Sequence, residues 1–290
     1  MLRAIIETLR PRQWTKNLVI FAGIIFDGQL NHWDPFIRVV GAFFLLCLVS
    51  GLTYTINDIL DIKADQLHPQ KKNRPIASGR LTLRQAGFLA LILAIITLPT
   101  AFLLSTGFGL VCVGYSILMF SYSKWLKKIA LIDVMVISVG FLLRVAAGIL
   151  VIKVNYFSPW LFVLTSLLAL YLGFGKRLSE MKLLEQSAGA HREVLESYSI
   201  PLLNQYLTII VSGILIAYSL YTFSAHPTQS HYTMMLTIPF VFYGLFRYLY
   251  LIEHTNQASA PEEVILNDRP LQITVVSWAL AVMIILYIIY

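Results

Sequence analysis

A cluster of polar side chains closes one of the most apolar stretches of the chain. Asn57, Asp58, Asp61 and Asp65 follow Tyr54 at helical spacings. At about 100° per residue, an α-helix places all five on an arc of about 100°. Carboxylates on one face repel each other unless a cation lies between them, and oxygen ligands combined with phosphate oxygens suit Mg²⁺. The pattern therefore predicts a magnesium site for a phosphate-bearing substrate, with a solvated helix end as the alternative.

A basic, turn-rich segment follows the acidic residues. Its sequence at positions 68–79 is HPQKKNRPIASG, which includes Lys71, Lys72 and Arg74. Beside a metal site, such cations are expected to hold the anionic oxygens that the metal does not cover. The alternative is the general excess of basic residues on the cytoplasmic side of membrane proteins. Thr82, with a glutamine three residues later, then predicts a capping box at the start of the next helix.

These residues must be positioned by helices that cross a membrane. Of the 290 residues, 58% are hydrophobic and 13% are charged, and the mean hydropathy is +0.73. Typical soluble domains are about 25% charged, so the composition excludes an ordinary soluble protein and a disordered chain. The two cysteines lie in apolar runs, which leaves no disulfide framework or CxxC metal site. A membrane setting also explains the net charge of +7 without nucleic acid.

Nine apolar stretches approach the length of about 20 residues that a membrane-spanning helix needs. The first of them is short and has the weakest pattern. The nine are Leu18–Phe26 with its flanks, Phe36–Ile56, Ala86–Ser105, Phe108–Phe120, Leu131–Ile152, Pro159–Phe174, Leu203–Phe223, Tyr232–Tyr250 and Leu271–Tyr290. The sequence therefore predicts an all-α integral membrane protein of about nine transmembrane helices.

The basic residues set the predicted orientation. With the N-terminus in the cytoplasm, the 22 lysines and arginines fall on the cytoplasmic side except for Arg38, Lys153 and Arg144. This bias follows the positive-inside rule, and an odd number of spans puts the C-terminus outside. The long connections are then cytoplasmic, where loops on a rigid scaffold most often hold the chemistry. We expect a single transmembrane domain over 1–290 with cytoplasmic catalytic loops at 57–84, 175–201 and 251–270.

At the acidic helix end the chain resembles the UbiA superfamily of intramembrane prenyltransferases. The NDxxDxxxD pattern at Asn57–Asp65 is similar to the first aspartate-rich motif of that superfamily, and the resemblance covers essentially the whole chain. It implies nine helices around a central cavity with a cytoplasmic site, and Mg²⁺ as the cofactor, with Mn²⁺ as the alternative. The metal ligands would be Asn57, Asp58 and Asp61, and the catalytic residues would be Asp58, Asp61 and Asp65.

Four further motifs are similar to decaprenyl-phosphate phosphoribosyltransferases. They are RPRQWTKN at 10–17, HPxKxxRPIAxG at 68–79, GKRLSE at 175–180 and LESY at 195–198. This family transfers 5-phosphoribosyl from phosphoribosyl pyrophosphate (PRPP) to a polyprenyl phosphate and releases diphosphate. Its product feeds decaprenylphosphoryl-arabinose and cell-envelope polysaccharide synthesis.

The segment 175–199 departs from the general superfamily. Aromatic prenyltransferases carry a second aspartate-rich motif after the sixth helix, whereas this segment contains no aspartate. It offers Lys176 and Arg177 instead, and a basic pair suits the extra phosphate of PRPP. The alternative is that the two residues only mark the cytoplasmic end of a helix.

Arg144 lies within the fifth predicted span, where a lipid-facing arginine is costly. We therefore expect it to face a polar cavity and bind a phosphate, with an ion pair to Asp133 as the alternative. Gly140 and Gly148 lie near the same stripe of this helix, where they allow a neighbouring helix or a ligand to approach closely. The predicted substrate-binding residues are Lys16, Tyr54, Lys71, Lys72, Arg74, Tyr122, Lys127, Arg144, Lys176 and Arg177.

The resemblance thus implies a Mg²⁺-dependent phosphoribosyltransferase of the bacterial inner membrane, and the charge bias predicts that its N-terminus and active site lie in the cytoplasm. Its predicted partners are PRPP, a polyprenyl phosphate and membrane lipids, without nucleic acid, and a homo-oligomer is left open. The runner-up is a UbiA-type prenyltransferase that joins a prenyl diphosphate to an aromatic or other acceptor. A transporter is the alternative of another class, but the clustering of charges at one membrane face argues against it.

Overall fold

The protein is built from membrane-spanning helices. The computed structural model describes residues 1–68, 71–152, 154, 158–186, 193–224, 232–254, 264 and 267–289. In these ranges all regular secondary structure is helical, and eight helical segments are long and apolar enough to cross a bilayer. The predicted class of an all-α, multi-pass membrane protein is confirmed. Parts of the predicted loops, at 69–70, 187–192, 255–263 and 265–266, and the C-terminal Tyr290 lie outside the described residues.

Eleven α-helices follow one another in the described part of the chain. They are α1 (Leu2–Leu9), α2 (Ala22–Phe26), α3 (Trp33–Leu60), α4 (Ile62–Leu67), α5 (Leu83–Leu104), α6 (Thr106–Lys124), α7 (Ile132–Val151), α8 (Pro159–Gln186), α9 (Ile200–Ser224), α10 (Ile238–His254) and α11 (Arg269–Ile284). Shorter 3₁₀ segments occupy Pro11–Phe21, Lys71–Asn73, Leu126–Lys128, Glu193–Ser197 and Tyr232–Thr237, and a π-helical turn occupies Ile285–Ile289.

The first predicted span has an unexpected form. A 3₁₀ helix over Pro11–Phe21 leads into the five-residue α2, in place of one continuous α-helix. The 3₁₀ segment packs directly against α7 at Gly148. A β-carbon at this position would lie 1.9 Å from the carbonyl oxygen of Ile20. Only glycine allows this approach. The close contact at Gly148 agrees with the prediction made from the sequence.

One compact unit consists of Met1–Lys127 and Gly140–Tyr156. Its core joins side chains of the 3₁₀ segment, α2, α3, α6 and α7, among them Ile20, Ile24, Leu46, Phe108 and Ala147. The predicted capping box at the start of α5 is confirmed. The amide of Gln85 donates to Thr82 Oγ1 at 3.3 Å, and the amide of Thr82 donates to Gln85 Oε1 at 3.0 Å. The cap fixes where the basic segment ends and the helix begins.

A second compact unit consists of Lys128–Val139 and Phe157–Tyr290. Its core is built mainly from α8, α9 and α10, with Tyr171, Leu178, Leu203, Leu207 and Tyr248 at its centre. The prediction of a loop from residue 175 onward is corrected here, because α8 continues without a break to Gln186. Lys176 and Arg177 are therefore helical residues. A single domain over 1–290 stays a prediction.

Candidate active site

The acidic residues lie where α3 passes into α4. Asp61 lies between Leu60, the last residue of α3, and Ile62, the first of α4. Its amide donates to the carbonyl of Asn57 at 2.9 Å, and the amide of Asp65 donates to the carbonyl of Asp61 at 2.8 Å. These bonds keep the helical spacing across the junction, so the polar side chains stay on one side of the chain. We call this side the acidic face; it consists of Asn57, Asp58, Asp61 and Asp65. Asp58 and Asp65 are 2% and 3% exposed. Such burial calls for cationic partners.

Arg74 joins two of these carboxylates. Its Nη1 donates to Asp58 Oδ1 at 3.1 Å and to Asp65 Oδ2 at 2.6 Å. The acidic face and the basic segment are thus in contact, as their order in the sequence predicts. Lys71 and Lys72 of the same segment are exposed in the 3₁₀ turn.

Arg10 is a second cation on the acidic face. Its Nη2 donates to Asp58 Oδ1, the same atom that Arg74 contacts. Its guanidinium lies over the ring of Tyr54, 4.8 Å from the ring centre. Burial lowers the pKa of Arg10 below its ordinary value, while Asp58 opposes that change. Arg10 is not among the site residues predicted from the sequence, although the RPRQWTKN motif begins with it.

Asp61 has a separate partner. Lys127, in the 3₁₀ turn after α6, donates through Nζ to Asp61 Oδ1 at 2.6 Å and to Oδ2 at 2.8 Å. Both side chains are about a quarter exposed, at 23% and 26%. The predicted residue Lys127 therefore lies at the acidic face. Lys16 and Tyr122 are half-buried side chains on the 3₁₀ segment and on α6, respectively.

Arg144 forms a buried polar network in the same unit. Its Nε donates to Asn17 Oδ1 at 2.8 Å, Nη1 to the carbonyl of Gly140 at 2.8 Å, and Nη2 to Tyr115 Oη at 2.7 Å. Asn17 in turn donates to Ser50 Oγ at 3.4 Å. Among the described residues of this unit, no carboxylate pairs with Arg144. Neutral oxygens thus hold a full positive charge.

Arg177 lies in the second unit, 1% exposed, on the continuous helix α8. Its Nε donates to Asp133 Oδ2 at 2.8 Å, and Nη1 pairs with Glu180. The carboxylate suggested as an alternative partner of Arg144 is therefore engaged by Arg177. This burial favours a structural role for Arg177, and phosphate binding there stays a prediction. Lys176, the preceding residue, is half-buried.

Tyr198 completes the Asp133 cluster. Its hydroxyl donates to Asp133 Oδ1 at 2.8 Å and accepts from the amide of Leu131 at 2.7 Å. Burial raises the pKa of Tyr198 to about 12, so the hydroxyl stays protonated and keeps donating at neutral pH. The family-like segment LESY thus supplies a hydrogen bond that holds Asp133 in place.

The acidic face fits a metal held jointly with a substrate. No three carboxylate, imidazole or thiol groups within the described ranges converge to hold an ion by themselves. Mg²⁺ often needs only one or two carboxylates, with substrate phosphates and water as its other ligands. Asn57, Asp58 and Asp61 offer the hard oxygen atoms it prefers. The donor set therefore suits Mg²⁺ with a diphosphate, and not a cage made by the protein alone.

Comparison with known sequences points in one direction. The profile of the UbiA prenyltransferase family matches residues 18–267. The decaprenyl-phosphate phosphoribosyltransferase of Corynebacterium glutamicum is 31% identical, over 98% of this chain and 86% of that protein. The enzyme of the same name from Mycolicibacterium smegmatis is also 31% identical, over 96% of this chain and 91% of that protein.

Solved structures share the architecture. A UbiA homologue from Archaeoglobus fulgidus, bound to GPP and Mg²⁺, matches with a TM-score of 0.73 at 17% identity, over 98% of this chain and 99% of that chain. A structure described for digeranylgeranylglyceryl phosphate synthase matches with a TM-score of 0.70 at 19% identity, over 99% of this chain and 98% of that chain. At these identities the match establishes the fold alone.

Proposed function

Because the chain belongs to the UbiA prenyltransferase family, we propose that this membrane transferase moves 5-phosphoribosyl from PRPP to a polyprenyl phosphate such as decaprenyl phosphate, and releases diphosphate. The observation that supports this substrate pair is the 31% identity to a decaprenyl-phosphate phosphoribosyltransferase across 98% of the chain. The product would serve decaprenylphosphoryl-arabinose and cell-envelope polysaccharide synthesis.

The proposed reaction replaces one C–O bond with another. The bond between ribose C1 and the diphosphate oxygen breaks, and its electron pair leaves with the diphosphate. An oxygen of the lipid phosphate forms the new bond to C1. Because a phosphate monoester has its second pKa near 6, this nucleophile is already anionic at neutral pH and needs no general base. The main task of the protein is to stabilise the leaving diphosphate.

The acidic face provides the residues for that task. Asn57, Asp58 and Asp61 would hold the metal, and a bound Mg²⁺ would neutralise charge on the diphosphate oxygens. Arg74 and Lys127 already lie within ion-pair distance of these carboxylates. Both cations can therefore reach a diphosphate placed against the same face. Each would stabilise negative charge as it develops on the leaving group.

The setting of the reaction is part of the proposal. We place the acidic face on the cytoplasmic side of the bacterial inner membrane, where PRPP is soluble, while apolar helices accommodate the isoprenoid chain. Mn²⁺ would also serve as the metal in place of Mg²⁺, since both ions favour oxygen ligands.

The test is transfer of label from PRPP to lipid. Purified protein with Mg²⁺, ribose-labelled PRPP and polyprenyl phosphate should yield a labelled lipid and free diphosphate, and excess EDTA should abolish the product. Asp61→Asn should reduce turnover about 100-fold or more. Asp34→Asn removes an exposed carboxylate at the opposite end of α3 and should retain activity. If the wild type ignores PRPP but couples a prenyl diphosphate to an aromatic acceptor, the phosphoribosyl assignment is wrong.

A further inference from the structure

Two arginines share a single oxygen atom at the acidic face. Arg10 and Arg74 both donate to Asp58 Oδ1. We propose that Arg10 is a binding residue for the diphosphate group of the donor substrate, and that it exchanges Asp58 for a diphosphate oxygen when the metal-bound diphosphate arrives. This inference rests on the proposed function, because it adds a residue to the same site.

Arg10 is the surplus cation of the pair. Arg74 also contacts Asp65, at 2.6 Å, so it links two carboxylates and holds the basic segment against α3. Asp58 remains paired through Arg74 when Arg10 moves away. Movement of Arg10 therefore leaves no buried carboxylate unpaired. This avoids the main free-energy cost of breaking a buried ion pair.

The position of Arg10 makes it accessible to a ligand. Its side chain is 24% exposed, whereas that of Asp58 is 3% exposed. Tyr54, one helical turn before Asp58, supports the face of the guanidinium through a cation–π contact. A planar guanidinium held by its face keeps its N–H groups directed along its edge, which is the geometry that binds two phosphate oxygens at once.

The backbone around Arg10 is held on both sides. The amide of Arg10 donates to the carbonyl of Glu7 at 3.2 Å, and the indole of Trp14 donates to the carbonyl of Leu9 at 3.2 Å. These bonds tie the end of α1 to the start of the 3₁₀ segment. The exchange therefore requires only rotation of the flexible Arg10 side chain.

Electrostatics favour the exchange once a metal and a diphosphate are both present. Asp58 would hold a divalent ion through the oxygen that Arg10 now contacts, and the charge of that ion would repel the guanidinium. A diphosphate then offers Arg10 several anionic oxygens in place of the one it loses. The metal and Arg10 therefore compete when the metal arrives alone, and cooperate when it arrives with diphosphate.

The experiment therefore compares the effect of Arg10 on metal affinity in the absence and in the presence of diphosphate. Mn²⁺ binding to purified protein is measured by electron paramagnetic resonance, with and without inorganic pyrophosphate, for Arg10→Gln and for Arg12→Gln. Arg12 is an exposed arginine two residues away, so its variant is a matched control for the loss of charge. We expect Arg10→Gln to weaken binding of Mn²⁺-pyrophosphate by about 10-fold to 100-fold. Binding of Mn²⁺ alone should become tighter, and Arg12→Gln should change neither affinity.

The outcomes separate the possible errors. If Arg10→Gln weakens both measurements equally, Arg10 only supports the fold of the site and the inference is overturned. Equal behaviour of the two variants overturns it as well. If the wild type fails to bind Mn²⁺-pyrophosphate at all, the diphosphate site of the proposed function is itself wrong. If Arg10→Gln does not fold, Arg10→Lys is the second variant, because it keeps the charge but loses the two-pronged geometry. It should weaken Mn²⁺-pyrophosphate binding by a smaller factor than Arg10→Gln. An unchanged affinity for Mn²⁺-pyrophosphate overturns the inference.

Discussion

Arg144 places a positive charge among apolar helices and satisfies it with neutral oxygens. The sequence indicated that this arginine must face a polar environment, because exposure to lipid at its depth is unfavourable. It did not indicate the partners, since Asn17 and Tyr115 are distant in sequence and meet Arg144 only in the folded unit. Phosphate binding at Arg144 stays a prediction.

Replacing Arg144 should reveal how much the network stabilises the protein. Arg144→Ala removes the hydrogen-bond partner of Tyr115 Oη and leaves Asn17 Oδ1 with only the longer bond from Ser50, and an orphaned buried group costs about 1–3 kcal/mol. We expect a clearly lower Tm in detergent, whereas Arg84→Ala, at an exposed position, should leave Tm unchanged. Arg144→Ala with an unchanged Tm but a much higher KM for PRPP would instead indicate a substrate contact.

The helix α8 is longer than the apolar stretch from which it was predicted. The apolar stretch ends near Phe174, because Lys176 and Arg177 interrupt it, and the sequence therefore predicted a loop. Charges end an apolar run, but they do not end a helix when their partners are supplied. Asp133 supplies that partner from α7, and such a contact cannot be derived from periodicity along one segment.

The ion pair between α7 and α8 should be sensitive to the loss of one partner. Asp133 and Arg177 are 0% and 1% exposed, and Asp133→Asn removes one carboxylate charge from the buried guanidinium while Glu180 still pairs with it. Because a fully uncompensated buried charge costs about 3–5 kcal/mol, we expect a loss below that range but above about 1 kcal/mol, measured as a fall in Tm.

Two controls separate burial from charge. Asp133→Leu combined with Arg177→Leu removes both charges and should be much less destabilising than Asp133→Asn alone. The pair between Asp34 and Arg38 is exposed, at 79% and 46%, so Asp34→Asn should stay within about 1 kcal/mol of the wild type. If the double variant loses as much as the single one, the pair is not the cause.

The distribution of charge over the whole chain predicts its orientation in the membrane. Cys47 and Cys112 are both free and buried, so replacing them gives a background for single-cysteine labelling. A cysteine at Lys72 should react with an impermeant maleimide only after cells are opened, and one at Thr106 should react in intact cells. Both positions are exposed. Labelling in the reverse order would invert the predicted topology.

The fold was more predictable from the sequence than the site. Helix class and span positions follow from apolar length, which is a local property. The aspartate face followed from helical periodicity, and Arg74 from its place in the next segment. Arg10 and the environment of Arg177 could not be derived in the same way, because each depends on a contact between distant segments.

Arg10 also ends α1 in a left-handed conformation, with φ of 52°. Glycine is the usual residue at such a helix end, and other L-residues are strained there by about 1 kcal/mol. An arginine held under strain beside a candidate site implies a conflict between stability and activity. Arg10→Gly and Arg10→Ala both lose the guanidinium, so their difference isolates the backbone. We expect the glycine variant to have the higher Tm and both variants to have equally low transfer activity, and equal Tm values would contradict the strain.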